Sequence, residues 1–431
     1  MIKELIKKFI PYFLLDFYYY LLALISAVVF WFPSRKIIVI GVTGTSGKST
    51  TIDFITRILE EAGNKVASIS SIRFKIGGKE WKNDLKMTMP GRFVTHKFLR
   101  QAVNEKCKYA VLEVTSEGIK QFRHKFINFD TAVFTNLSPE HIESHGGFEN
   151  YRSEKLKLFK VTKNIHIINT NDQNADYFSK IPAVKKYFFG IKNSADVKAE
   201  NINLDDGINF EVLGTKFHLN LIGYFNIYNA LSAISVGLSQ GITLEICKKA
   251  LEKVIGIPGR MEVVSNNPLV IVDYAHTPDQ LENVYKTFSS WSGNSKFKSN
   301  LRESLWVQQN SKLICVLGSC GGGRDKWKRS VLGKIASQYC KEIIITNEDP
   351  YDEDPLEIME QVAEGIDSQT KNYHIVLDRK EAIKNALKLA KPEDIVIITG
   401  KGSEIWMCLA NGKKILWSDK GIILEELVKM K

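Results

Sequence analysis

Short apolar runs alternate with amphipathic stretches along this chain from residue 37 onward. Ile37–Gly41 (IIVIG) is continuous and apolar, the pattern of a strand buried on both faces. A glycine-rich turn comes next, and Thr50–Glu61 then carries Ile52, Ile55, Ile58 and Leu59 at helical spacing. Strand, glycine turn and helix together open a parallel α/β sheet. Further buried strands are predicted at Tyr109–Glu113, Thr131–Thr135 and Ile165–Asn169. A second α/β set begins near Leu269, with strands at Val270–Asp273, Leu313–Leu317, Glu342–Thr346, His374–Leu377 and Ile395–Thr399. Ile257-Pro258-Gly259 reads as the linker between the two sets. Polar Ser292–Lys312 has no regular period and reads as a surface insertion.

The first residues obey a different rule. Phe9–Trp31 is almost wholly apolar and aromatic, with Asp16 its only formal charge and Lys7, Lys8, Arg35 and Lys36 at its flanks. The run is long enough to span a bilayer, and it lacks the small-residue cleavage site of a removed signal. Only a few residues separate Trp31 from the strand at Ile37. Two placements stay open: a membrane-seated helix, or a helix docked on the protein's own surface.

Length and charge narrow the class. A chain of 431 residues exceeds one ordinary core, so two or three domains are expected. Its 44% hydrophobic and 25% charged residues exclude global disorder. The net charge of +11 suits an anionic partner. Lys and Arg are scattered and no nucleic-acid motif is present, so a small phosphate ligand is favoured and nucleic acid is not expected. The six cysteines form no CxxC pair and no metal spacing with histidine. Reduced thiols in a cytoplasmic protein are the expectation.

Gly44-Thr45-Ser46-Gly47-Lys48-Ser49-Thr50 is the strongest chemical signal. Glycines let backbone N–H groups close on phosphate oxygens, and the helix after the loop turns its positive end toward the anion. Lys48 would neutralise the β and γ phosphates of ATP, and the Ser49 hydroxyl would ligate Mg²⁺. The usual phosphate loop has four residues between its glycines, whereas only Thr45 and Ser46 lie between Gly44 and Gly47.

Together with a series of motifs downstream, this loop resembles the Mur ligases, most closely the synthetases that make UDP-N-acetylmuramoyl tripeptide. The ordered landmarks are GTSGKST (44–50), EVTSEGI (113–119), FTNLSPEHIESHG (134–146), YRSEKLKLF (151–159) and GYFNIYNALSAI (223–234). PGRMEVV (258–264), VDYAHTPDQLE (272–282), GGGRDKWKR (321–329), NEDPYDEDP (347–355) and GKGSE (400–404) complete them. The resemblance implies ATP-driven activation of a peptide carboxylate as an acyl phosphate, and then attack by an amino acid's amine. It also implies two Mg²⁺ ions, with Ser49 and Glu113 matching ligands of one and His141 a ligand of the other. Lys155 matches a lysine that is carbamylated in this family and supports the second ion. Lys48, Glu113, His141 and Lys155 are thus the expected catalytic set. Asn229, Arg260 and Asp273 match nucleotide-contacting positions. Thr88, Thr115, Ser116, Gln121 and Arg123 match positions that meet the muramoyl peptide. Met87-Thr88-Met89-Pro90 stands where Asn-Thr-Thr-Pro is usual, and Ser116-Glu117 replaces Ser-His.

Arg324, Gly400 and Glu404 match positions that hold the incoming amino acid. The diaminopimelate motif Asp-Asn-Pro-Arg is replaced by Glu348-Asp349-Pro350-Tyr351, which removes the arginine that would grip a second carboxylate. Lysine, another diamine or a different amino acid all remain open.

The expected architecture is α/β and in three parts. A short apolar helical segment (1–35) precedes a central P-loop-type ATPase domain with a mostly parallel sheet (36–257). A C-terminal Rossmann-like α/β domain (258–431) completes the chain, although Gly321-Gly322-Gly323 is not the GxGxxG fingerprint. These synthetases ordinarily carry an N-terminal domain that holds the uridine nucleotide, whereas here only the apolar segment precedes the loop. The substrate handle is therefore either UDP or a lipid. The second choice would suit association of residues 9–32 with the inner face of the membrane, on a protein otherwise cytoplasmic and monomeric. Rival readings are a folylpolyglutamate synthetase, a cyanophycin synthetase, a subunit that amidates lipid-linked precursors, or a membrane-attached nucleotide-binding regulator without turnover.

Overall fold

The computed structural model describes residues 11–85, 87–289, 296–298, 304–306, 311–369 and 372–430. The first sheet contains β1 (Ile38–Thr43), β2 (Val66–Ile69), β3 (Arg73–Ile76), β4 (Lys79–Lys82), β5 (Tyr109–Glu113), β6 (Phe129–Phe134), β7 (Ile165–Asn169), β8 (Lys185–Gly190) and β9 (Val197–Lys198). Their order is β4-β3-β2-β5-β1-β6-β7-β8-β9, parallel except for the β2-β3-β4 meander at one edge. β1 lies between β5 and β6, and the chain builds outward from it in both directions. The carboxyl end of β1 is therefore the switch point where a doubly wound sheet leaves a crevice.

Alternation along β1 explains the layers. Ile40 and Val42 face one core with Phe54, Ile55 and Ile58 of the helix Lys48–Glu61. Val39 faces the other with Phe98, Leu99 and Phe159. A small antiparallel sheet of β10 (Glu200–Asn203), β11 (Ile208–Val212) and β12 (Thr215–Leu219) leads into the helix Phe225–Ser239, which packs back beside the loop helix.

The second sheet contains β13 (Glu262–Asn266), β14 (Leu269–Val272), β17 (Leu313–Leu317), β18 (Glu342–Thr346), β19 (Tyr373–Val376) and β20 (Ile395–Ile398), in the order β13-β14-β20-β17-β18-β19. All its pairings are parallel except β13 with β14. β15 (Lys296–Lys298) and β16 (Ser304–Trp306) pair antiparallel as a separate two-stranded sheet. The rest of the expected insertion at 292–312 lies mostly outside the described residues. The α/β class expected from the sequence is what the chain adopts.

One expectation fails. Cys315 on β17 and Cys340, at the end of the helix Lys328–Tyr339, form a disulfide with an S–S distance of 1.97 Å. Sequence spacing did not reveal it, because the pair is brought together by a strand-to-helix crossover. Cys107, Cys247, Cys320 and Cys408 are free thiols.

The apolar N-terminal run is a helix over Tyr12–Val29. Ala23, Ser26 and Ala27 are buried where it meets the helix Arg92–Asn104. The Tyr20 ring lies edge-on to Phe122 and Phe126, and the Arg92 guanidinium covers Tyr19. Arg100 caps the run by donating to the Phe30 and Trp31 carbonyls. The docked placement thus describes its inner face. Its outer face leaves Phe13 70% and Trp31 79% exposed, with Leu14, Phe17, Val28 and Val29 between them. Among the described residues no helix is long and apolar enough to cross a membrane.

Candidate active site

β1 ends at Thr43 and the chain turns sharply around Gly44 and Gly47, whose φ angles are +154° and +79°. A Cβ on Gly44 would lie 2.0 Å from Thr135 Oγ1, and one on Gly47 would lie 2.3 Å from Asn229 Oδ1. Only glycine allows both the turn and the close approach. Asn136 steadies the loop, accepting from the Ser46 N–H at 2.8 Å and donating to the Ser46 carbonyl at 3.1 Å. All seven residues from Gly44 to Thr50 line one cavity of about 1350 Å³.

Glu113, the last residue of β5, reaches the same place. Its Oε2 accepts from Ser49 Oγ at 2.8 Å, and its Oε1 lies 3.8 Å from Lys48 Nζ. Lys48 is held by the Thr45 carbonyl at 2.9 Å, and burial lowers its pKa against the pull of Glu113. A hydroxyl beside a carboxylate is a hard-oxygen donor set that suits Mg²⁺, and Ser49 and Glu113 would be the residues to hold it. Among the described residues no three His, Cys, Asp or Glu side chains form a protein-only metal cage.

Lys155, on the helix Phe148–Val161, enters from the opposite wall. Its Nζ donates to the Gly44 carbonyl at 2.8 Å and lies over the Tyr151 ring. Burial, and then the nearby Lys48 charge, push its pKa well below that of a free lysine. His141 also faces this cavity, and its backbone is left-handed, at φ 56°. Burial and the charges of Arg324, Lys328 and Lys155 hold its pKa well below that of a free imidazole, leaving a neutral ring. The structure therefore brings Lys48, Ser49, Glu113, His141 and Lys155 around one cavity.

The helix Phe225–Ser239 and the C-terminal half supply the facing wall. Asn229 bonds Asn226 at 3.0 Å and sits against Gly47. Arg260 reaches across to Ser71 Oγ at 3.2 Å and stacks over Tyr274. Asp273 lines the cavity, but its oxygens already accept the Met261 and Ala275 N–H groups at 2.7 Å each, so it is first of all a strand-end cap. Thr88, Thr115, Ser116 and Arg123 also line the cavity. Gln121 does not; it accepts from Arg123 Nη2 at 2.6 Å and so reaches the wall only through that arginine.

Arg324, Glu348, Asp349, Tyr351, Gly400 and Glu404 gather at the far end. Glu348 Oε1 accepts from the Cys320 thiol, while its Oε2 is buried without a hydrogen-bond partner. Gly400 is required beside it, since a Cβ there would lie 1.9 Å from that oxygen.

Sequence reasoning missed Lys401. This fully buried lysine donates to both oxygens of Asp349, at 2.9 and 2.8 Å, and to Glu404 Oε2 at 2.8 Å. It lies inside the GKGSE landmark, where its depth had no sequence signal. Also missed were Tyr151, which bonds Thr45 at 2.9 Å, and the buried pair Glu140–Lys328 at 3.0 Å.

An ATPase-type sheet and a Rossmann-like sheet that share one cavity, with a phosphate loop in its wall, define a class, the ATP-dependent amide-bond ligases. Comparison with known proteins narrows it: the sequence matches the Mur ligase middle domain over residues 42–237 and the Mur ligase, glutamate ligase domain over 259–402. The chain belongs to the Mur ligase family. A UDP-N-acetylmuramoyl-L-alanyl-D-glutamate--2,6-diaminopimelate ligase of Syntrophomonas wolfei is 37% identical over 422 residues, covering 95% of this chain and 82% of that protein. A solved structure of a ligase of the same name has a TM-score of 0.60 at 28% identity, covering 91% of this chain and 79% of the other. Folylpolyglutamate synthase of Mycobacterium tuberculosis has a TM-score of 0.68 at 16% identity, covering 87% and 91%, a likeness of fold alone.

Proposed function

We propose that the protein joins an amino acid to the terminal carboxylate of a muramoyl peptide, using ATP to form an acyl phosphate. The reading is carried by one observation: the phosphate loop, Glu113, His141, Lys155, Arg324 and Glu404 all line the same cavity. Phosphoryl transfer between two anions needs positive charge and alignment more than covalent help. Lys48 and Arg260 provide charge beside the γ phosphate, and Ser49 with Glu113 would hold Mg²⁺, which neutralises phosphate charge. Arg123 would hold the peptide, and Arg324 the carboxylate of the incoming amino acid. His141 and Lys155 would support a second ion. The lowered pKa of Lys155 favours the neutral amine that adds CO₂, so carbamylation at this lysine fits its surroundings. We assign the ATPase unit to 36–257 and the amino-acid unit to 258–431, acting as a monomer.

The unpartnered Oε2 of Glu348, with Tyr351 in place of arginine, favours an amino acid whose side chain ends in an amine. The test is mass analysis of product after incubation with ATP, UDP-muramoyl dipeptide and a panel including lysine, ornithine and diaminopimelate. A lysine or ornithine adduct is expected. ATP binding without amino-acid-dependent phosphate release would sink the ligase reading in favour of a regulator.

The exposed aromatic face at Phe13, Phe17 and Trp31 supports a second, finer reading. Aromatic and aliphatic side chains beside Arg35 and Lys36 suit the headgroup boundary of an acidic cytoplasmic membrane face. Arg92, which covers Tyr19, and Arg123 both contact Gln121, placing this helix beside the proposed peptide site. A lipid-linked muramoyl peptide would approach there. Sedimentation with phosphatidylglycerol vesicles, lost in Phe17→Ser/Trp31→Ser, is expected; equal sedimentation of the variant would remove the reading.

A further inference from the structure

His141 sits in a backbone conformation that a non-glycine residue rarely adopts, and the residues around it are gripped from the other half of the molecule. Asp325 accepts the Ile142 N–H on Oδ2 at 3.1 Å and the Glu143 N–H on Oδ1 at 3.0 Å. The Lys326 N–H donates to Glu143 Oε1 at 2.8 Å. Lys328 pairs with Glu140 at 3.0 Å, with both side chains almost wholly removed from water. Residues 140–143 thus take four contacts from 325–328, on both sides of His141. Arg324, which opens into the amino-acid end of the cavity, immediately precedes these anchors in the chain.

We propose that Asp325 and Lys328 are positioning residues that set His141 in its ligand geometry only when the two sheets close on each other. A left-handed non-glycine residue persists only where its surroundings over-determine it. Here Ser144 and His145 hold the His141 carbonyl locally, and the residues on either side of it are held by the amino-acid half. The amino acid bound by Arg324 and the metal ligand His141 are therefore linked through one short stretch of chain. Each can shift the closure equilibrium of the other by its differential affinity for the closed form. Acyl phosphate chemistry is assembled when the last substrate has arrived, which protects the activated carboxylate from water. The buried Glu140–Lys328 pair adds register, because breaking either side leaves a lone charge out of water.

The inference rests on the ligase reading but is tested separately from it. Hydrogen exchange is followed at the Ile142 and Glu143 amides in the full chain with AMP-PNP and Mn²⁺. Mn²⁺ stoichiometry is counted by electron paramagnetic resonance, and the helix 48–61 serves as an internal control. In the native chain these amides are expected to be protected and two Mn²⁺ to be held. In Asp325→Ala, protection at 142–143 should fall at least tenfold and one Mn²⁺ should be lost, with exchange in 48–61 unchanged. Asp325→Asn, which keeps one acceptor oxygen, should fall between them. Once a substrate pair is in hand, Lys328→Met should lower kcat by ~100-fold with little change in KM for ATP. Unchanged protection and unchanged stoichiometry in Asp325→Ala would overturn the proposal. A native chain that shows the exchange and Mn²⁺ differences but makes no amide would overturn the ligase reading and leave the positioning role standing.

Discussion

Lys155 lines the cavity and Lys401 lies behind Asp349 and Glu404, which line it; both lysines are buried, and their surroundings are opposite. Lys155 meets a carbonyl and an aromatic face, and among the described residues no carboxylate lies within pairing distance. Lys401 is wrapped by Asp349, Glu404 and the Trp406 carbonyl. An unpaired buried ammonium loses its proton readily and becomes a nucleophilic amine; a doubly paired one is a fixed charge that holds its neighbours. Burial alone therefore says little about a lysine's task. The count of carboxylates around it decides.

Lys401→Met removes the cation that Asp349 and Glu404 share and should cost about 3–5 kcal/mol in urea unfolding. Lys155→Met should cost none of that, and relief of the desolvation that holds this lysine's pKa down should raise the melting temperature. Equal destabilisation by the two substitutions would erase the distinction. The same Lys155→Met should lower amide formation by about 10²–10³-fold, the loss typical when one charge-stabilising group leaves an active site. Tyr351→Arg tests whether the acidic end already has its full complement of cations. It should raise the kcat/KM ratio of diaminopimelate over lysine by about tenfold, the worth of one charged hydrogen bond. No shift would show that Lys401 leaves no room for a second carboxylate.

The smallest effect is in pH. The folded pKa of Lys155 lies below its unfolded value, so between the two the unfolded chain binds more protons. Stability should therefore rise with pH from the depressed pKa up to about 10.5, by less than ~1.4 kcal/mol per unit. Measured in CO₂-free buffer, that extra slope should vanish in Lys155→Met. Lys48, shifted in the same direction, contributes to both curves and cancels in the difference.

What was legible in the sequence divides along the same line. The glycine loop, its flanking strand and helix, and Glu113 were readable because a turn needing positive φ and a strand end are local facts. β1, β5, β6 and β7 of the first sheet and β14, β17, β18, β19 and β20 of the second were found within a few residues, since buried runs are continuous. β2–β4 and β8–β13 were not, because short or half-exposed strands carry little period. Lys401 finds Asp349 across 52 positions and Lys328 finds Glu140 across 188. No window along the chain registers such pairs. Gln121 and Asp273 matched motif positions, yet their polar atoms are spent on Arg123 and on backbone N–H groups.

The Cys315–Cys340 bond has a mechanical consequence. It clamps the tail of the helix Lys328–Tyr339 to a central strand, while the head of that helix carries Lys328, just beyond Asp325. A helix clamped at its far end cannot flap independently of its sheet. Any swing that frees residues 140–143 must turn the sheet with the helix, as a crank turns its shaft.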